Sequence, residues 1–583
     1  MRTRLAGLLR VRQCWAGLAL LALGAAPGPV APGGGWTDAD AWAWTRLQAG
    51  ATADFNAADR CGSAADPADA TDPRWRDACR AVSARFVGDV LTRAPWRDAL
   101  PRQGFQLVGA HIAENIDLSF AAVDAQVAIG GSRIEGGLTL EQTGFRHGFV
   151  LGGSHVAGSL NADGLRADNL LLRNGTAIDG DLVLDYAEVA RNIDLQRSTF
   201  GGRFSGEALH VRQSLLLDDS TFRGPVDLDS AAVDGNLEMD GATLMGDVSC
   251  DGLLVKQGLF LHGTTLKAKL DLQSAQVDNS LEMDGGSFAT GFNGDSLRVG
   301  AYIFMNNAHF GGPVDLTFAR INGDIDVRDS DVVSLDLSET DIAQGLRLGG
   351  GGEKSVRWTA GADGAPSLTL RDAHAAELQD SAAAWPPALQ VDLIGFTYGR
   401  IVGASQEERD DRSADWWADW LRRGTVPFNP QPYTQLASVM TAAGDRDSAA
   451  AIQFAAQERQ RAEASGWRSW LWMSAQCWIV GYGIGDYTFR VVLWVLGFTV
   501  LGMLVLLTAR SGRARGPVWC LGASLSQLLP VIELNEEFKE FFHDPERKNL
   551  TGWHLSYFAV QTVIGWVLAS FLVAALGGLM PKG

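Results

Sequence analysis

From Gln103 to Asn322 the chain runs through twenty consecutive 11-residue units without an insertion or a deletion. A period kept this strictly marks a solenoid, in which each turn of chain is stabilised by the turns stacked on it. Numbering each unit from 1 to 11, positions 3 and 10 are apolar in all twenty, as in Phe105, Ile116, Val127 and Leu138 at position 3. Position 5 is usually Leu, Ile or Met, and position 8 is usually Ala, Ser or Thr. The inward set therefore recurs at gaps of 2, 3, 2 and 4 along the chain. Side chains two apart share a face only in a strand, so each unit reads as two very short strands joined by a corner.

A unit this small cannot bury its own apolar face, and two of them together make a four-sided coil. In four units set at a 44-residue interval, position 5 shrinks to Ala162, Gly206, Cys250 and Gly294 while position 8 grows to Leu165, Leu209, Leu253 and Leu297. Close-packed interiors tolerate volume-conserving exchanges and penalise voids, so positions 5 and 8 should face one interior, with large and small side chains alternating up each column.

The small-x-large triplets Ser198-Thr199-Phe200, Ala231-Ala232-Val233 and Ala275-Gln276-Val277 resemble those of the bacterial pentapeptide-repeat family. That resemblance implies a right-handed quadrilateral β-helix, here of 11-residue units with one looser corner. The whole chain is similar to a group of bacterial membrane-anchored solenoid proteins, some labelled membrane-associated oxidoreductase. In these the repeats are followed by a segment like Pro432-Tyr433-Thr434-Gln435-Leu436-Ala437 and by hydrophobic spans. The resemblance implies no defined chemistry.

The net charge is −19. With no dense basic patch, that sign excludes nucleic acid as the main partner, since its phosphates would be repelled. Arg2, Arg4, Arg10 and Arg12 precede an apolar run from Trp15 to Ala26, which reads as an export signal (residues 1–26) cleaved near Ala26. An uncleaved anchor helix is the alternative, although the run falls short of the roughly 20 residues that a span needs. Of six cysteines, Cys14, Cys250, Cys477 and Cys520 fall in the signal, the solenoid core or the membrane-associated part. The pair left over is Cys61 and Cys79. In an oxidising compartment they can close a disulfide loop contributing on the order of 3 kcal/mol; in the cytosol they would be two free thiols.

Residues 27–102, with Trp42, Trp44, Trp75 and Trp96, form a helical cap for the open solenoid end, and residues 103–402 form the solenoid with irregular final coils. A polar linker (403–430) leads to a helical hairpin (431–466) resembling half of a tetratricopeptide unit, hinged at Gly444. Trp467, Trp470, Trp472 and Trp478 mark an interfacial segment (467–490), as expected where indoles sit at a bilayer surface. Transmembrane helices follow over 491–508 and 556–580, separated by a 509–555 loop with an apolar re-entrant or interfacial stretch from Val518 to Leu534.

Familiar catalytic signatures are missing: there is no Gly-x-Gly-x-x-Gly between strand and helix, no Gly-x-Ser-x-Gly, no His-Glu-x-x-His and no Cys-x-x-Cys. In Gly349-Gly350-Gly351-Gly352-Glu353-Lys354-Ser355 a carboxylate stands where a phosphate-binding loop needs glycine. Neither catalytic residue, metal nor cofactor is therefore assigned. His111, His155, His210 and His309 all fall at position 9, facing outward. Position 4 also faces outward and carries Asp194, Glu238, Glu282 and Asp326, read as a solvated acidic face in preference to a calcium site. The same position carries Leu172, Leu216, Phe260 and Phe304. These four large apolar side chains form a candidate docking patch for a protein partner, with coverage by the terminal segments as the alternative.

The sequence thus predicts a scaffold anchored in the bacterial inner membrane, its partners the lipid bilayer and a protein docked on a periplasmic solenoid. The opposing reading is a pore, with 491–508 as outer helix, Val518 to Leu529 as pore helix and Tyr557 to Met580 as inner helix. Pro530-Val531-Ile532-Glu533 then stands where a carbonyl filter would be needed. An oxidoreductase is a third reading, by family label alone.

Overall fold

Parallel pairing at a constant offset dominates the computed structural model, which describes residues 30–350, 355–361, 364–403, 412–529, 534–543 and 550–576. The export signal expected over 1–26 lies outside those residues. Two units divide the chain, residues 1–290 and 291–583.

In the first unit the short strands pair in parallel with strands two repeats further on: Leu215 with Leu237, Thr221 with Thr243, Val226 with Val248 and Ala232 with Leu254. The strands fall in two sheets, two successive strands to each: the Leu215 strand in one, the Thr221 and Val226 strands in the other, and the Ala232 strand back in the first. This corrects the expected quadrilateral β-helix of 11-residue units: the structural repeat is the 22-residue coil. Consecutive 11-residue halves share an inward pattern because they face one interior, yet they never stack on each other, so their likeness in sequence is not a likeness of place.

The interior follows the expected register, with Leu228, Leu237 and Val248 buried and Asp227 and Glu238 half-buried between them. A Cβ added to Gly206 would lie 3.1 Å from Leu228 Cδ2 and 3.3 Å from Leu209 Cδ2, so positions 5 and 8 do share one interior. Hydroxyls at position 8 are buried too. Thr143, Thr176, Ser220 and Thr264 donate to the carbonyls of Leu118, Leu151, Leu195 and Met239, one coil back, at 2.6–2.8 Å. An unpaired hydroxyl there would cost about 1–3 kcal/mol.

Position 7 makes the tight corner. Tyr186, Arg197, Ala208, Asp219 and Ser230 all have φ between 53° and 57°, the left-handed region that a type II turn requires at its third residue. Such turns close from the position 8 N–H to the position 5 carbonyl, as in Ala187 to Leu184 and Ala231 to Leu228 at 3.1 Å. At position 1 the corners stack so closely that Gly202, Gly224 and Gly246 are needed: a Cβ on Gly224 would lie 2.3 Å from the Gly202 carbonyl oxygen.

One coil departs from the sequence frame. Leu170 pairs with Phe149 on one side and with Ile193 on the other, one position short of a full coil and one position beyond it. The slip has a clear cause: the unbroken frame would put Arg173 at inward position 5. Moving by a single position buries Leu170 and Leu172 instead and frees Arg173 to pair with Asp194 at 2.8 Å. Asn174 and Gly175, both with positive φ, take up the slack before Thr176 resumes the frame.

The N-terminal segment covers the first coil. Helices α1 (Asp38–Gln48) and α2 (Ala84–Thr92) bracket a strand in which Ala53 pairs with Leu107, so the sheet edge is occupied. Cys61 and Cys79 form a disulfide with Cα atoms 6.0 Å apart. The loop it closes is tied to the coils by Arg133, which donates to the Pro67 carbonyl at 2.7 Å, and by Arg80, which donates to the Gly109 carbonyl at 3.0 Å.

The second unit begins with the same pairing, Phe292 with Val314 and Ile303 with Ile325. Coils then lengthen, with Leu335 pairing with Leu368 and Leu378 with Ile401. Helices follow: α3 (Ala414–Arg423), α4 (Gln431–Ala442), α5 (Arg446–Ala462), α6 (Trp467–Val480), α7 (Arg490–Thr508), α8 (Pro517–Leu528), α9 (Glu536–Phe542) and α10 (Gly552–Leu576). The region read as a polar linker thus contains α3, whose Trp417, Trp420 and Leu421 are buried.

Candidate functional site

The outward columns of the coils are one candidate surface. In the first unit the position 4 column runs Asp194, Leu216, Glu238, Phe260, Glu282 in successive coils. The proposed apolar patch of Leu172, Leu216, Phe260 and Phe304 needs correcting on two counts. Leu172 is fully buried, because the slip turns it inward. Leu216 and Phe260 are separated by Glu238, and in the second unit Phe304 pairs with Asp326. A 44-residue spacing skips every second coil, so apolar and acidic side chains alternate and no contiguous patch arises. The rings lie along the surface, Phe260 against His262 at 5.8 Å and Phe304 against Tyr302 at 5.4 Å between centroids.

The acidic members are mostly engaged: Asp194 by Arg173, Asp326 by Arg328 at 2.6 Å, and Glu282 by His262 at 3.0 Å. His262 also meets Asp240 at 2.9 Å. Burial pulls its pKa down, but the Asp240 and Glu282 carboxylates outweigh that and raise it above the ordinary value. Among the described residues no group of three or more His, Cys, Asp or Glu is placed to hold a metal ion.

Position 9 carries a charged chain that the sequence reading left as surface histidines. Arg133 donates to His155 Nδ1 at 2.8 Å and to Glu135 at 2.6 Å, and His155 Nε2 meets Asp179 at 3.0 Å. His155 and Arg133 are both buried, under the disulfide-closed loop. The signal for this was present in the 22-residue spacing of His111, Arg133 and His155.

The second candidate lies in the helices of the second unit. Two of them, Arg490–Thr508 and Gly552–Phe571 within α10, are long and apolar enough to cross a membrane, with hydropathies of 2.5 and 1.2. Trp467, Trp470, Trp472 and Trp478 on α6 are exposed, as are Leu493, Leu496, Val500 and Leu504 on α7. Helix α8 is seated against both long helices, its Cys520 and Ala523 packing with Leu506 and Phe558 and its Leu528 with Val491, Val495 and Leu568. Small residues allow that approach, since a Cβ on Gly565 would lie 1.6 Å from the Leu528 carbonyl oxygen. Gln561 donates to Ser524 at 3.0 Å and Gln527 to Thr562 at 2.8 Å, polar contacts of the kind that join helices in lipid. Pro530-Val531-Ile532-Glu533 and the end of the second expected span, 577–580, lie outside the described residues.

Gly481-Tyr482-Gly483 turns the chain between α6 and α7, all three residues at positive φ. It places Tyr482 to donate to Glu458 on α5 at 2.8 Å, and Cys477 Sγ donates to the same carboxyl at 3.2 Å. Burial, then the Glu458 carboxylate, hold the Tyr482 phenol above its usual pKa. Beside this cluster an open cleft of about 790 Å³ contains Arg461, Arg490, Trp478 and Trp494. Sequence reading singled out none of Glu458, Arg461 or Arg490: the first two are an ordinary i,i+3 pair on α5, and nothing along the chain links them to Arg490 at the start of α7.

Fold and exposure together define a class, a β-solenoid that carries two helices able to cross a membrane. Set against known proteins, the chain matches no family model, no curated protein and no solved structure.

Proposed function

We propose that the protein is a membrane-anchored scaffold whose solenoid presents a rigid docking surface to a protein partner, on the periplasmic side of a bacterial inner membrane. One observation carries this reading. Within the second unit, an unbroken series of specific contacts joins the last coil to the membrane-compatible helices. The Leu393 N–H donates to the Gly424 carbonyl at 2.8 Å, and Trp385 stacks edge-on against Trp420 at 5.2 Å. On α4, Gln431 and Gln435 donate to the Phe396 and Tyr398 carbonyls at 3.0 and 2.6 Å. Arg459 on α5 donates to Tyr433 on α4 at 3.2 Å and to the Thr425 carbonyl at 2.6 Å, α5 meets α6 through Glu458 and Cys477, and Arg490 at the start of α7 donates to the Cys477 carbonyl at 3.0 Å. A flexible tether needs no such series; a scaffold held at a set angle to its anchor does.

The pore reading draws on the seat of α8 between the two long helices. Sidedness separates the two. The native thiol of Cys520 is unsuitable as a probe, being fully buried with Sγ donating to the Gly512 carbonyl at 3.3 Å. Reporter cysteines at the exposed positions Arg223 and Glu540 replace it. With impermeant thiol reagent on intact spheroplasts, the scaffold reading expects labelling at 223 and none at 540, keeping Arg510, Arg513 and Arg515 inside. The reverse pattern would sink the scaffold and favour the pore.

A further inference from the structure

We propose that the cleft between α5, α6 and the start of α7 binds an anionic phospholipid, its phosphate on Arg490 and one acyl chain along α7. The inference rests on the reading of α7 as a membrane span, and three observations lead to it. The first is level. Arg490 is the first residue of the apolar helix, and exposed Trp478, Phe489 and Leu493 surround it, so a spanning α7 puts the cleft where headgroups lie.

The second is charge. The Arg490 guanidinium donates to the Cys477 carbonyl at 3.0 Å and lies 5.3 and 5.5 Å over the Phe454 and Tyr487 rings. Among the described residues no carboxylate pairs with it. Arg461 does pair with Glu458, and that carboxylate also accepts from Cys477 and Tyr482. Among the described residues that line the cleft, two guanidinium groups against one carboxylate leave one positive charge in excess, which a phosphodiester neutralises. Guanidinium suits phosphate because its planar fork can donate two parallel hydrogen bonds.

The third is shape. Trp494 is pinned by donating to the Trp478 carbonyl at 2.8 Å, and one turn below it a Cβ on Gly497 would meet nothing within 4 Å. The cleft therefore opens onto the uncovered apolar face of α7 at Leu493 and Gly497, where a chain of methylenes can lie. A free anion has no use for that apolar face, which favours a lipid over inorganic phosphate.

The test uses the purified full chain in neutral detergent. Affinity for short-chain phosphatidylglycerol, for phosphatidylcholine with the same chains and for glycerol 3-phosphate is read by tryptophan fluorescence, and retained lipid by native mass spectrometry. Phosphatidylglycerol should bind at least tenfold tighter than phosphatidylcholine. Arg490→Gln should cut that preference below twofold, and Gly497→Leu should weaken phosphatidylglycerol binding at least fivefold with the charge untouched. Equal affinities for the two lipids in the unmodified chain overturn the proposal, as does full retention of the preference in both variants. Glycerol 3-phosphate binding as tightly as the lipid would reduce the cleft to an anion site and overturn it too. If Arg490→Gln does not fold, Gly497→Leu and the lipid comparison decide alone. A chain recovered in the soluble fraction without detergent would defeat the membrane reading itself, whereas a membrane-integral chain indifferent to lipid charge defeats only this inference.

Discussion

The interior of the coils in the first unit and the helical bundle in the second solve the same problem in opposite ways. Both bury polar groups among apolar ones. In the coils buried hydroxyls at position 8 donate to position 5 carbonyls one coil back, a device that recurs at Thr143, Thr176, Ser220 and Thr264. In the bundle each contact occurs once, as with Gln561 to Ser524. Repetition makes the coil interior legible from spacing and quick to propagate an error; the bundle is legible only after its helices are brought together.

The largest test of that contrast is Leu228→Asp, which puts an unpaired carboxylate where Leu228 is fully buried. It should cost several kcal/mol and abolish cooperative melting by circular dichroism, while Asp227→Asn, its half-exposed neighbour, should cost under about 0.5 kcal/mol. Equal shifts would break the inward register. Next in size is the exchange at Gly206 and Leu209, which touch across the interior. Leu209→Ala should cost about 2–5 kcal/mol through a cavity and Gly206→Leu about 1–3 kcal/mol through overpacking. The double variant recreates the commoner unit and should recover part of both; a purely additive loss would show that the two sites do not couple.

In the bundle, Gln561→Leu removes two hydrogen bonds to Ser524 and should cost only about 1 kcal/mol, at about 0.6 kcal/mol for each, read as a small shift in thermal unfolding in detergent. A loss as large as that of Leu209→Ala would erase the distinction between the two regions. The smallest effect concerns pH. Because the folded-state pKa of His262 is raised, the stability it contributes is present below its unfolded pKa and fades as pH rises through the folded value. His262→Gln should therefore lower the melting temperature at pH 5.5 and leave it unchanged at pH 8.5, and a pH-independent difference would assign His262 a packing role instead.

Legibility follows from how many residues state the same thing. The inward positions, the exchange of volume between Gly206 and Leu209 and the apolar length of Arg490–Thr508 were all readable, since each rests on a spacing or a run along the chain. The 22-residue coil was readable as two 11-residue units, but the 11-residue unit taken as the repeat is only half of the structural one. Leu172 was misplaced because a frame counted along the sequence cannot know that burying Arg173 is worse than slipping by a single position. The helix inside the linker was hidden in a polar segment whose Trp420 finds its partner, Trp385, only on the last coils.

Periodicity by itself determined that this protein forms a solenoid and, outside the slipped coil at Leu170 to Arg173, which residues face its core, because backbone geometry ties every second side chain to one face. Which outward residues become neighbours was decided only by the tertiary structure. Leu216 and Phe260 are parted by Glu238, while Arg490 on α7 is brought to Glu458 and Arg461 on α5. Contacts between elements depend on packing and on the cost of burying charge, and no interval along the chain encodes either.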